Sequence, residues 1–436
     1  MSSFGNNVGV PSTYVDQDTG DAILKEFYSD DGVTNEIYVD NPLLALMPKK
    51  EDVTGRFYNQ PVVASAGQGR SRVFTQAQNA ASTAAGSNST FTSGEAIFDF
   101  QVKKVENHAD ANIASQLIAE SSSSRGAFLD MVRLIADDQL QNIANDTALS
   151  LYRQADGSRG TVGGSAAGTT LTFANPADAI NFSLGMWLDF SATNSGTSTT
   201  FASTTSQYCQ VVSIDQIGGT ATVAFSSGTN TLTANSVAVG NYIYQSGDKS
   251  LAFNGFVDWI PYGGVASNDS FQGVNRSASP VQLAGSYING TGGNLEEVLE
   301  AAIAQVVRFG GKLTHFMMSP AYYRQLAQAQ GAKVQLINVM ATPQIGFKGI
   351  QVVGHSSGPV VCLPDRNCPP GLIAAMNRDS WKLISVGKVV HTWQEDGKVW
   401  LRSTSASGME IRFYSLANVV CKEPRSNINI SVNPLV

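Results

Sequence analysis

Two strand-like runs separated by a stretch that cannot pack place the tightest constraint on this chain. FYNQPVVA at 57–64 has strand composition, and SRVFTQ at 71–76 resembles it. NAASTAAGSNSTFTSG at 79–94 is small and polar, and EAIFDFQVKKVE at 95–106 then alternates with period two. Phe98, Phe100 and Val102 fall on one side of that strand and Asp99, Gln101 and Lys103 on the other. Strand, tip and returning strand make a long two-stranded excursion. Such a ribbon is marginal alone in water, so it is expected to lie against a partner surface.

The pattern changes to a helical period over 124–153. Phe128, Met131, Val132, Ile135, Ala136, Leu140 and Ile143 share one broad side, with Asp130, Asp137, Gln141 and Asn145 opposite. At roughly 1.5 Å per residue this helix would reach about 40 Å, the length of a spine. A sharp compositional shift follows at 156. No basic residue occurs between Arg159 and Lys249, and TTLTF, YCQVVSI, ATVAF and NYIYQ alternate with Gly/Ser/Thr turns. Regular short strands of this kind predict a small all-β unit. Helical and mixed sequence resumes afterwards, which marks 156–250 as an insertion into a host fold.

Asn294 and Glu297 open a helix whose apolar stripe is Leu295, Val298, Leu299, Ala302 and Val306, and Gly310-Gly311 ends it. THFMMS reads as a buried strand, and SPAYYRQLAQ as a second helix with Ser319 as its N-cap and Pro320 in its first turn. Short strands dominate from 346 to 421: GIQVV, PVVCL, LIAAM, KVVHTW, KVWLRS and MEIRFYS. The NINISVNPLV tail is expected to be extended.

The 436 residues carry a net charge of −7, with only 14% charged residues. An average soluble domain has about 25%. A surface so poor in charge is one that identical neighbours could cover. The negative charge and lack of basic runs argue against a nucleic-acid binder, which needs clustered Lys and Arg. No run approaches about 18 apolar residues, and the N-terminus lacks the layout of a secretory signal.

Candidate chemistry is thin. GHSSG at 354–358 matches the G-x-S-x-G pattern around Ser356, but a nucleophile elbow needs a helix after it. PVVCL follows instead, so a turn is predicted. Cys362 and Cys368 in CLPDRNC are spaced unlike a structural zinc pair, and with Cys209 and Cys421 they make no disulfide framework. They are expected to pack as small apolar groups. His108, His315, His355 and His391 are scattered, and His315 lies within an apolar run. No catalytic residue, metal ligand or cofactor site is assigned.

Taken in order, these segments resemble the major capsid proteins of tailed double-stranded DNA bacteriophages, with their Hong Kong 97 type of fold. The resemblance rests on the ribbon, the spine helix, the run from NLEEVLEAAIAQVVRFGG to SPAYYRQL, the GFKGIQVVG…WKLISVG segment and MEIRFYSLANVVC. It implies an α+β chain with an N-terminal arm over 1–56, an E-loop hairpin over 57–105 and a peripheral domain with the spine helix over 106–155. The all-β insertion spans 156–250 and the peripheral domain continues over 251–335. An axial domain covers 336–396, and return strands with a C-terminal tail cover 397–436. CLPDRNC would then be an axial-domain turn.

The resemblance further implies pentamers and hexamers in an icosahedral shell, built in the host cytoplasm and found in the virion. That shell encloses DNA without reading its sequence. A portal protein, a separate scaffolding protein and a decoration protein are the expected partners. Arg70, Arg72, Phe74, Phe98 and Phe100 are the candidate intersubunit contacts. No lysine lies between Lys50 and Lys103, so the family's lysine cross-link from the E-loop is not expected. Three alternatives stand beside this reading: an encapsulin-type shell, a β-rich adhesin and a hydrolase built around Ser356.

Overall fold

A computed structural model describes residues 14–15, 41–65, 71–75, 77, 96–114, 138–139, 141–164, 168–194, 209–225, 231–232, 237–330, 336–342, 345–353, 358–389, 391–392, 400–402 and 407–433. Three larger sheets, one long ribbon and a short hairpin of Ser270–Phe271 with Val274–Asn275 organise them. In the first sheet the 14-residue strand Gly408–Cys421 pairs with Val105–Ala114 on one side and Trp381–Ser385 on the other. Tyr14–Val15 and Lys49–Lys50 extend its two edges, both in parallel. The second sheet is formed entirely from Gly160–Thr161, Tyr242–Gln245, Trp187–Ser191, Cys209–Asp215, Thr220–Phe225 and Thr170–Thr172. The third has seven strands in the order Ser286–Asn289, Ile428–Ser431, Leu372–Met376, His315–Met318, Pro359–Pro364, Ile345–Val353 and Leu336–Thr342.

The third sheet is the middle layer, and its sequence shows why. Side chains on a strand alternate between faces. Met317, Leu363, Leu372, Ala374 and Met376 enter one apolar cluster, with Trp381, Val419 and the ribbon base. Phe316, Met318, Cys362, Ile373 and Ala375 enter another, beneath two helices. Strands buried on both faces read as continuous apolar runs, which is what HFMM and LIAAM are.

The two covering helices are Leu295–Arg308 and Pro320–Gln330. The first buries Leu295, Val298, Leu299, Ala302, Ile303 and Val306, each worth about 1.5–3 kcal/mol for the larger side chains. The Asn294 side chain accepts the Glu296 N–H at its start. At its end Gly310 sits at φ +76°, and the Gly310 and Gly311 N–H groups reach back to the Val307 and Val306 carbonyls. This is a Schellman stop, and the left-handed residue in it is best supplied by glycine.

Several expectations change. Both helices pack on the sheet to which 336–376 contributes, although the sequence reading assigns them to a different unit. Ile428–Ser431 joins that same sheet, while Trp381–Ser385 leaves it for the first. Boundaries at 335/336 and 396/397 therefore cut through sheets, because strands close in space come from distant parts of the chain. SRVFTQ is not a strand: residues 74, 75 and 77 are helical, and the Ala77 N–H donates to the Val73 carbonyl. Among the described residues of the spine, 138–139 and 141–150 are helical. The segment 124–137 lies outside the described residues. The helix ends at 150, short of the expected 153, and its last turn is buried at Thr147, Ala148, Leu149 and Ser150.

Candidate assembly surface

Phe57–Ser65 and Ala96–Lys103 pair only with each other, in antiparallel register from Phe57↔Lys103 to Ser65↔Ala96. Tyr58, Gln60 and Val62 lie opposite Val102, Phe100 and Phe98 on the inner face. Phe100 is fully buried, its ring 5.1 Å from Trp259 and 6.2 Å from Phe271. The Gln101 N–H donates to the Gln272 carbonyl at 3.0 Å. Arg276 lies 4.4 Å from the Phe271 ring centre and pairs with Asp269 at 2.6 Å, which fixes that wall. The base of the ribbon is thus built into the chain's own core.

The outer face is different. Val63 and Ile97 are cross-strand partners and stand 56% and 55% exposed. Phe57 is also exposed, and between the two strands Val73 and Phe74 project into solvent, Phe74 at 79%. The ribbon thus carries an exposed apolar set on one face, with two more exposed apolar side chains between its strands. Of the sequence-nominated contacts, Arg72 and Phe74 are exposed and Phe98 is half-buried against the core. Arg70 lies outside the described residues. Phe100 has no surface left to offer a neighbour, because it anchors the ribbon. Val63 and Ile97 were missed, although Ile97 follows from the same period-two alternation read on its other face.

The remaining candidates resolve chemically. Ile345–Val353 and Pro359–Pro364 are antiparallel neighbours, with Val353 opposite Pro359. GHSSG therefore joins two strands of one hairpin, whereas a nucleophile elbow leads into a helix; His355 and Ser356 lie outside the described residues. Cys362 and Cys368 are buried and free, and burial pushes the Cys362 thiol up to about 12 and raises Cys368 well above the ordinary range. The Cys368 thiol faces the Leu372 carbonyl at 3.4 Å. His315 is pushed down to about 4 by burial and by Arg378, and its Nδ1 lies 2.9 Å from Thr314 Oγ1. Among the described residues no group of three or more His, Cys, Asp or Glu is placed to hold a metal ion. No helix among them is long and apolar enough to cross a membrane.

The residue of CLPDRNC with the most long-range contacts is Asp365. Its buried carboxylate accepts the Tyr152 hydroxyl at 2.7 Å, the Asn367 N–H at 2.9 Å and the Leu43 N–H at 3.4 Å. It ties the end of the spine helix and the Pro42–Leu46 helix to the third sheet. The loop is a structural pin beside the core.

A charged cluster marks the root of the second sheet. The chain enters and leaves side by side, the Ser250 N–H donating to the Asp156 carbonyl at 2.8 Å. Arg159 bridges Asp146 of the spine helix and Asp248, and Arg153 holds Asp178 at 3.0 Å. Gly255 passes so close under the helix end that a Cβ would lie 2.3 Å from the Ser150 carbonyl oxygen.

No protein-family model and no curated protein matches the sequence. Solved structures do match the fold. The chain is similar to the cyanophage A-1(L) capsid asymmetric unit, with a TM-score of 0.50 and 11% identity over 92% of this chain and 95% of that one. Weaker likenesses are to the capsid of a native GTA particle, with a TM-score of 0.46 and 9% identity over 94% and 96% of the two chains. The holo-SrpI encapsulin complex of Synechococcus elongatus PCC 7942 gives 0.44 and 7% over 90% and 87%. Of these three, the cyanophage capsid chain is the one that reaches a TM-score of 0.50. At that level of identity the likeness establishes architecture, and this chain has the fold seen in a phage capsid.

Proposed function

We propose that this chain is a shell-forming structural protein, the major capsid protein of a tailed double-stranded DNA phage with the Hong Kong 97 type of fold. The observation that carries the reading is the likeness to the cyanophage capsid chain across nearly the full length of both. The ribbon supports it physically, since its base is anchored and its outer face carries Val63, Ile97 and Phe57 uncovered, with Phe74 exposed between the strands.

In this reading the ribbon lies across a neighbouring subunit, with Arg70, Arg72, Phe74 and Phe98 among the contacts and Phe100 holding the ribbon from below. Pentamers and hexamers close the shell, and many modest identical contacts add up through symmetry. The 160–245 sheet is an inserted unit carried on the shell's outer surface. Portal, scaffolding and decoration proteins are the partners, the shell is assembled in the host cytoplasm, and DNA is enclosed without base readout. The contacts between subunits are non-covalent.

Electron microscopy of the purified protein, with and without a co-expressed scaffold, tests this. Closed shells or ring-shaped capsomers are expected. Dispersed monomers under both conditions would overturn it.

A further inference from the structure

A line of hydrogen-bonded side-chain amides runs from the root of the second sheet to the base of the ribbon. At the root, the Ala155 carbonyl accepts the Ala252 N–H at 3.3 Å, which joins the two chain crossings, and the Ala155 N–H donates to Asp258 Oδ2 at 2.7 Å. That same oxygen accepts Asn254 Nδ2 at 3.2 Å. Asn254 Oδ1 in turn accepts Asn418 Nδ2 and Gln272 Nε2, both at 3.0 Å. At the far end Asn418 Nδ2 donates to the Lys103 carbonyl at 2.6 Å, and the Gln272 carbonyl accepts the Gln101 N–H at 3.0 Å. Gln101 and Lys103 belong to the ribbon strand Ala96–Lys103.

The polarity of this line is fixed from both ends. An ionised carboxylate only accepts, so Asp258 draws Asn254 Nδ2 toward itself and leaves Asn254 Oδ1 for the other two amides. Asn418 Oδ1 is taken by the Asn254 and Val419 N–H groups at 3.0 and 2.7 Å, which turns its Nδ2 toward Lys103 and Asn254. Both donors and both lone pairs of Asn418 are thereby used. Asn418 and Asn254 are buried, so neither can exchange a lost partner for bulk water. Gln272 is held at a left-handed φ of +50°. A non-glycine residue keeps that setting where its surroundings over-determine it, and here both its carbonyl and its side chain are engaged.

We propose that this amide line is a conformational relay, coupling the pose of the ribbon to the seating of the second sheet's root. A neighbour or ligand that displaces one end leaves buried groups unpaired along the line and so shifts the other end. Neither shell formation nor the capsid reading is required for it, so the two stand or fall separately.

Hydrogen–deuterium exchange of the purified full chain tests this, with the Gln101 amide reporting on the ribbon and the Ala155 amide on the root. Asp258→Ala removes the acceptor at the root and should speed Gln101 exchange by at least about fivefold. In an Asn254→Ala background, where the line is already cut, it should add little. Asp258→Asn retains an oxygen that can accept both donors and should leave Gln101 near its parent rate. Gln272→Met cuts the ribbon end at a half-buried position and should speed exchange at Ala155, since coupling is reciprocal. Amides of the third sheet are the folding control and should exchange as in the parent. A Gln101 rate indifferent to Asp258→Ala, or an Ala155 rate indifferent to Gln272→Met, would overturn the relay. So would Asp258→Ala and Asn254→Ala effects that simply multiply, or an equal acceleration throughout the third sheet.

Discussion

Buried acids carry much of the cost at the residue scale. Asp365 tolerates a 2% exposed position because three donors converge on it. Removing one leaves a buried lone pair short of a partner, so Tyr152→Phe should cost about 1–3 kcal/mol, read from urea unfolding midpoints. Asp258 gives a pH signature. Burial pushes it up to about 6, despite hydrogen bonds from the Ala155 N–H and Asn254. Its unfolded value is about 3.9, so the folded state keeps a proton that the unfolded state has lost. This stabilising contribution is complete below about pH 4 and disappears as the pH rises through about 6. Asp258→Asn should flatten that part of the stability profile, as measured by melting temperature across pH 4 to 7. An unchanged slope would show that another group sets it.

The ribbon separates two roles at the scale of the element, and two substitutions tell them apart. Phe100→Ala removes a fully buried ring between Trp259 and Phe271. It should cost about 3–5 kcal/mol and speed proteolytic cleavage within the ribbon. Ile97→Lys acts on the outer face, where the side chain is half exposed. Its stability cost should stay within about 0.5 kcal/mol, while assembly into shells, scored by sedimentation, should fall sharply. Normal assembly of the Ile97 variant would remove that face from the contact. Period two made the inner face legible in advance. The outward pair was legible only in part: period two puts Ile97 on the outer face, but that Val63 stands opposite it needed the strand register.

For the whole molecule, the second sheet is the part most nearly independent. Its strands pair only with one another, and Val162, Leu171, Phe190, Val211, Val223 and Ile243 close a cluster of their own. Its two chain crossings are hydrogen-bonded neighbours, the arrangement that lets a unit be added or removed with little disturbance. Residues 157–249 expressed alone should therefore give a folded β spectrum and a cooperative melt. The remainder, closed by a short glycine linker, should keep both other sheets. A molten or aggregated fragment would mean that Arg153 and Asp146, which lie outside it and pair with its Asp178 and Arg159, belong to its folding unit.

Local chemistry alone determined the alternation of Phe98, Phe100 and Val102, the capped helix from Asn294 to Gly310 and the run of short strands without a basic residue after Arg159. Each depends on residues within a few positions of one another. Only the tertiary structure decided that the Leu295–Arg308 and Pro320–Gln330 helices share a sheet with LIAAM and the C-terminal INIS, and that WKLIS pairs elsewhere. Strand partnership is a long-range choice, and a run buried on both faces has no polar side to reveal its neighbours. The same limit hid Asp365. A carboxylate in a loop looks solvated until Tyr152, some two hundred residues earlier in the chain, is found donating to it.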